Sequence, residues 1–140
     1  MVMHTTTKNF SIESDKNKMS SIAIVEDDQA IAQMYRIKFE AEGYSVQTAD
    51  NGKAGLLLIE TMKPDIVLLD IMMPEMNGDA VLEKLRSVPW GKDLKVIILT
   101  NMGEQEAPPK LKELGVLAFI VKAEMTPRQV ADLVKKHLSV

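Results

Sequence analysis

From residue 21 onward, short apolar runs alternate with amphipathic segments, the pattern of a parallel sheet covered by helices on both faces. The runs SIAIV (21–25), YSVQTA (44–49), DIVLL (65–69), KVIIL (95–99) and LAFIV (117–121) predict five strands. Four are almost solidly apolar, as strands buried on both sides must be, whereas the second alternates and suits a less covered position. Between them, Ala30, Met34, Ile37 and Ala41 recur at helical spacing up to Gly43, and Ala54, Leu57 and Leu58 follow an Asn51 cap and stop at Pro64. A third helix is expected from about Asn77 or Gly78, burying Val81, Leu82 and Leu85. A fourth can begin no earlier than about Pro109, because Pro108 and Pro109 cannot both lie inside a helix, and it ends at Gly115. The fifth has the fullest start: Thr126 caps, Pro127 takes the first position, Gln129 completes a capping box, and Val130, Leu133, Val134 and His137 or Leu138 form the stripe.

Strict alternation of five strands and five helices predicts an α/β fold, a doubly wound five-stranded parallel sheet, over residues 21–140, with no room for a second domain. In such sheets chemistry gathers at the carboxyl ends of the strands. Composition adds exclusions. The 140 residues contain no cysteine, so disulfides, thiolate nucleophiles and cysteine metal sites are ruled out. A net charge of -3 gives no general affinity for nucleic acid or an anionic membrane. Residues 1–20 are polar and hydroxyl-rich, with no apolar stretch long enough for a signal-peptide core or a membrane span; they are expected to form a flexible tail, with Met19 a candidate second start. A cytoplasmic location is expected.

The residues that follow the apolar runs make a chemically coherent set. Strand one runs into Glu26, Asp27 and Asp28, strand three into Asp70, strand four into Thr100 and Asn101, and strand five into Lys122. Carboxylates from two strand ends repel one another and resist ionisation unless a cation sits among them. Hard oxygen ligands with few protein donors suit Mg²⁺ (or Mn²⁺). A divalent ion beside a carboxylate, an ammonium and a hydroxyl is equipment for phosphoryl transfer, with Asp70 as a nucleophile able to form an acyl phosphate. Singly, each residue has a plainer reading: an aspartate after a strand often caps a turn, Asp28 suits a helix N-cap, Thr100 can be satisfied by backbone, and Lys122 alone would be a surface lysine.

The segments AIVEDD, IVLLDIMMPEMNG, VIILTN and FIVKAEMTP resemble, in order and spacing, the receiver domain of two-component response regulators, across residues 21–140. The resemblance implies a CheY-like sheet of order 2-1-3-4-5. It implies that Asp70 is the phosphoacceptor, that Asp27, Asp70 and the main-chain carbonyl of Met72 ligate the metal, and that Glu26 acts through water. It further implies that Thr100 is the switch hydroxyl, Lys122 the partner of the phosphoryl group and Phe119 the aromatic switch. A sensor histidine kinase or a histidine phosphotransfer protein is the implied donor. The downstream protein target is not named by the sequence. The chain looks like a stand-alone receiver, a monomer or a weak phosphorylation-dependent dimer, catalysing nothing beyond its own phosphorylation and dephosphorylation.

Two positions depart from the family pattern. Ala123 follows the lysine where proline and a cis bond are usual; without proline a cis bond costs about 3 kcal/mol, so a trans bond is expected. Pro108 and Pro109 before the fourth helix are also atypical. Other functions fit less well. A haloacid dehalogenase-type phosphohydrolase needs an acid two residues after its nucleophile, where this chain has Met72. A flavodoxin-like nucleotide site needs glycines and free amides where EDDQ (26–29) presents negative charge. A receiver-like scaffold that binds partners without phosphorylation is the remaining alternative. Met72 and Met102, each two residues past a site residue, are expected to limit access of the hydrolytic water.

Overall fold

A computed structural model describes residues 20–101 and 107–139. The elements are β1 (Ser21–Val25), α1 (Gln29–Ala41), β2 (Ser45–Ala49), α2 (Gly52–Met62), β3 (Ile66–Asp70), α3 (Gly78–Arg86), a 3-10 turn (Pro89–Gly91), β4 (Lys95–Thr100), α4 (Pro109–Glu113), β5 (Ala118–Val121) and α5 (Pro127–Leu138). All pairings are parallel and the order is β2-β1-β3-β4-β5. Residues 1–19 of the expected tail, Met19 among them, and Met102 lie outside the described residues. Among the described residues no helix is long and apolar enough to cross a membrane.

Side chains alternate across the sheet and divide the core in two. Ile22, Ile24, Ile66, Leu68, Ile97, Leu99 and Ile120 pack with Tyr35 and Phe39 of α1 and Val130 and Val134 of α5. Ala23, Val25, Val67, Leu69, Val96 and Ile98 pack on the other face with Ile59 of α2, Val81, Leu82 and Leu85 of α3 and Leu111 of α4. Because both faces are covered, the central strands read as unbroken apolar runs. Each fully buried Ile or Leu contributes about 1.5–3 kcal/mol by leaving water.

The start and stop residues act as expected. Asp28, Asn51 and Thr126 each accept from a backbone N–H in the first turn of α1, α2 and α5, and Thr126 with Gln129 closes the capping box. Pro109 opens α4 and the Lys122–Ala123 bond is trans, as no peptide bond among the described residues is cis.

Two apolar stripes face the other way from what their spacing suggests. On α1, the buried residues are Ala32, Tyr35 and Phe39, while Met34 and Ile37 are 41% and 65% exposed. Helical spacing fits either stripe, and the aromatic one wins because Tyr35 and Phe39 bury more area and their rings stack with centroids 6.4 Å apart. On α2, Gly55 and Ile59 face the sheet and Leu57 is 65% exposed. Two strands also run one residue further than their apolar content: β3 includes Asp70, paired with Leu99, and β4 includes Thr100, paired with Val121.

Candidate functional site

Strand alternation decides which polar groups meet. Glu26 continues the parity of Ile22 and Ile24, Asp70 that of Ile66 and Leu68, and Lys122 that of Ile120, so all three lie toward the face occupied by α1 and α5. Thr100 continues the parity of Val96 and Ile98 and lies toward the other face, as does Phe119, which packs half-buried against that second core. The register completes the convergence: Val25 is opposite Leu69, Asp70 is opposite Leu99 and Thr100 is opposite Val121.

Lys122 Nζ lies 2.6 Å from Glu26 Oε1 and 3.2 Å from Asp70 Oδ2. Glu26 is fully buried and Asp70 is 3% exposed. The second oxygen of Glu26 accepts the Asp28 N–H at 3.0 Å, and Asp70 Oδ1 accepts the Met72 N–H at 3.3 Å. Asp27 stands exposed at the rim, and Glu26, Asp27 and Asp70 each present an oxygen within 4.8 Å of the others. The Thr100 side chain is buried, and its carbonyl accepts the Lys122 N–H at 2.8 Å, tying β4 to the lysine. The cleft above, about 530 Å³, is lined by the carboxylates, Lys122, Ile31, Asn101 and Met72. Met72 is 62% exposed on its lip.

The electrostatics follow from one ammonium among three acids. Burial and the neighbouring Glu26 charge push the Asp70 carboxyl up to about 7, with Lys122 offsetting only part of the effect. Burial also acts against the charge of Asp27, but hydrogen bonds to Asp70 and Glu26, with Lys122 nearby, outweigh it and hold its carboxyl below the ordinary value. Burial opposes the charge of Lys122 as well, and its bonds to Glu26 and Asp70 overcome that and keep it firmly protonated. The cluster therefore stores uncompensated negative charge beside a carboxylate that a proton or a cation would stabilise.

Residues 22–135 match the family model described as the response regulator receiver domain. The chain belongs to that family. Among curated relatives it is 34% identical over 117 residues to the Sporulation initiation phosphotransferase F of Bacillus subtilis (strain 168), spanning 84% of this chain and 92% of that protein. It is 32% identical to the Phosphate regulon transcriptional regulatory protein PhoB of Rhizobium meliloti (strain 1021), spanning 81% of this chain but only 50% of that protein. The chain thus covers about half the length of several curated relatives. A CheY-like receiver domain protein from Methanospirillum hungatei JF-1 superposes with a TM-score of 0.79 at 31% identity, over 86% of this chain and 94% of that one. Receiver domains are phosphoacceptor signalling domains that bind Mg²⁺ at an acidic pocket and take their phosphoryl group from a histidine kinase or phosphotransfer protein; here Glu26, Asp27 and Asp70 form an acidic cluster.

Two residues with structural consequences escaped the sequence reading. Arg86 donates to the carbonyls of Leu114, Gly91, Leu94 and Gly115, and nothing in its neighbourhood marks it. Gly52 occupies the first turn of α2, where a glycine is a poor helix former and so signals a close approach.

Proposed function

We propose that this receiver domain accepts a phosphoryl group on Asp70 and relays its arrival to a protein target through Thr100 and Phe119. The observation that carries the reading is the pairing of a buried Asp70 with Lys122 in a cluster of three acids and one ammonium. All-oxygen donors around a two-charge deficit fit Mg²⁺ or Mn²⁺, with Asp27, Asp70 and the Met72 carbonyl as ligands and Glu26 acting through water. When bound, the ion would neutralise charge on the phosphoryl oxygens.

An Asp70 oxygen attacks phosphorus in line as the P–N bond to the donor histidine breaks and its electron pair returns to the imidazole. Lys122 shifts from the carboxylates to the phosphoryl oxygens, holding charge that spreads in the transition state. Water later cleaves the acyl phosphate, returning Asp70 as carboxylate and releasing phosphate. The phosphoryl group draws the Thr100 hydroxyl toward the cleft, and Phe119, on the same face of the sheet two residues before the partner of Thr100, carries that change outward. The likeness to a phosphotransferase over 92% of its length supports a relay role.

Incubation with acetyl phosphate and Mg²⁺, read by intact mass, tests the assignment. One added phosphoryl group in the wild type and none in Asp70→Asn is expected. No gain in the wild type would favour a scaffold that binds without phosphorylation, and an undiminished gain in Asp70→Asn would place the acceptor elsewhere.

A further inference from the structure

The connection from β3 to α3, residues 71–77, rests on the first turn of α2. Gly52 donates its N–H to the Pro74 carbonyl at 3.4 Å. A β-carbon at Gly52 would fall 2.6 Å from the Met76 carbonyl carbon and closer still to its oxygen, so only glycine allows this approach. The connection has little freedom to retreat. Glu75 and Met76 hold φ values of 65° and 155°, which L-residues rarely adopt. Its end is fixed by Gly78, which donates to the Ile71 carbonyl at 2.8 Å and whose β-carbon would strike the Asp70 carbonyl oxygen. Near its beginning, Met72 is bonded through its N–H to Asp70 Oδ1.

We infer that Gly52 is a positioning residue for the acid cleft: by leaving room for residues 74–76 against α2, it sets where the main chain of Met72 lies relative to Asp70. A side chain there drives 74–76 away from α2, and with Gly78 anchored the displacement passes back toward Met72. Helix formation does not account for a glycine at this turn, since glycine weakens a helix. The consequence for metal affinity rests on the ligand set proposed above; the link between Gly52 and the connection does not.

Gly52→Ala is compared with Ala54→Gly, which weakens the same turn at an exposed position but adds nothing against the connection. In the metal-free protein, the backbone amide resonances of Met72 and Met73 should move in Gly52→Ala and stay in place in Ala54→Gly. In a calorimetric titration the Mg²⁺ Kd should weaken about tenfold in Gly52→Ala and less than twofold in Ala54→Gly. Thermal midpoints fall in both, so stability alone does not separate them. If Gly52→Ala does not fold, Met76→Gly added to it should restore folding, because glycine accepts the backbone geometry that position 76 must then take. Unmoved Met72 and Met73 amides with an unchanged Kd, equal effects in the two variants, or no rescue of an unfolded Gly52→Ala would overturn the inference. A wild-type protein that bound no Mg²⁺ would overturn the proposed ligand set instead, with the metal-free amides still deciding whether Gly52 braces the connection.

Discussion

Arg86 donates four hydrogen bonds of 2.7 to 2.8 Å to main-chain carbonyls, whereas Lys122 reaches two carboxylates, Glu26 at 2.6 Å and Asp70 at 3.2 Å. The Lys122 side chain is drawn almost out of water and Arg86 partly so. The carbonyls around Arg86 come from the end of α4 (Leu114, Gly115) and the segment between α3 and β4 (Gly91, Leu94), and they are neutral, so the planar guanidinium satisfies them in one fixed geometry. Nothing further is gained there by adding or removing an ion. Around Lys122 three acids face one ammonium, and occupancy by a proton or a metal changes the balance. The first arrangement is a staple. The second is chemically responsive, because its charges are not settled.

Breaking the staple should give the largest change in stability. Arg86→Ala frees four carbonyls at once and is expected to lower the unfolding free energy by about 2–4 kcal/mol. Urea denaturation measures it. Mg²⁺ affinity of the surviving folded protein should stay within twofold of wild type, and a larger loss would mean that the two regions are coupled.

At the cleft the sign reverses, and removing a charge should stabilise. In the metal-free protein Asp70 titrates near 7 against an ordinary 3.8, so the folded state holds more protons between these values. The stability that Asp70 contributes is therefore complete below 3.8 and lost as pH rises through about 7. Asp70→Asn abolishes that dependence. Metal-free Asp70→Asn should exceed wild type by about 1–3 kcal/mol at pH 8, with the gap narrowing as the pH falls through 7. A gap independent of pH would show that Asp70 is not the group responsible.

Magnesium should close the same gap from the other side. At ten times its Kd, the ion stabilises wild type by about 1.4 kcal/mol at pH 8. The effect should shrink at pH 5.5, where a proton on Asp70 competes, and in Asp70→Asn. Thermal melts with and without the ion measure both.

The contrast also marks how far sequence carries. Strand polarity, the caps at Asp28, Asn51 and Thr126, and the approach of Glu26, Asp70 and Lys122 were legible, because each depends on local pattern: alternation with period two, a short polar side chain before a helix, a polar residue ending an apolar run. The face of α1 was not, since Ala30–Met34–Ile37–Ala41 and Ala32–Tyr35–Phe39 share helical spacing and only the packed sheet chooses between them. Arg86 and Gly52 were equally silent. Their partners lie in other segments, at carbonyl oxygens that carry no residue-specific mark.

The smallest expected effect lies at the opposite end of α4 from Arg86. Lys110 at the start of that helix meets Glu83 of α3 at 2.7 Å, a distance as short as any in the carbonyl cage, yet the two side chains are 47% and 55% exposed. Solvent screens the pair and ordering two long side chains offsets its attraction, so distance alone does not make it strong. Glu83→Gln should leave the urea midpoint unmoved, and the Lys110 ammonium, raised by its hydrogen bond to Glu83, should return toward its ordinary value. A midpoint shift rivalling that of Arg86→Ala would mean that α4 is gripped from both ends. Salt separates the two contributions: at 1 M the Debye length is about 3 Å, which erases an exposed ion pair but not the mostly part-buried hydrogen bonds from Arg86 to neutral carbonyls. If high salt weakened the wild type as much as Arg86→Ala does, the grip on α4 would be electrostatic rather than the fixed geometry of the guanidinium.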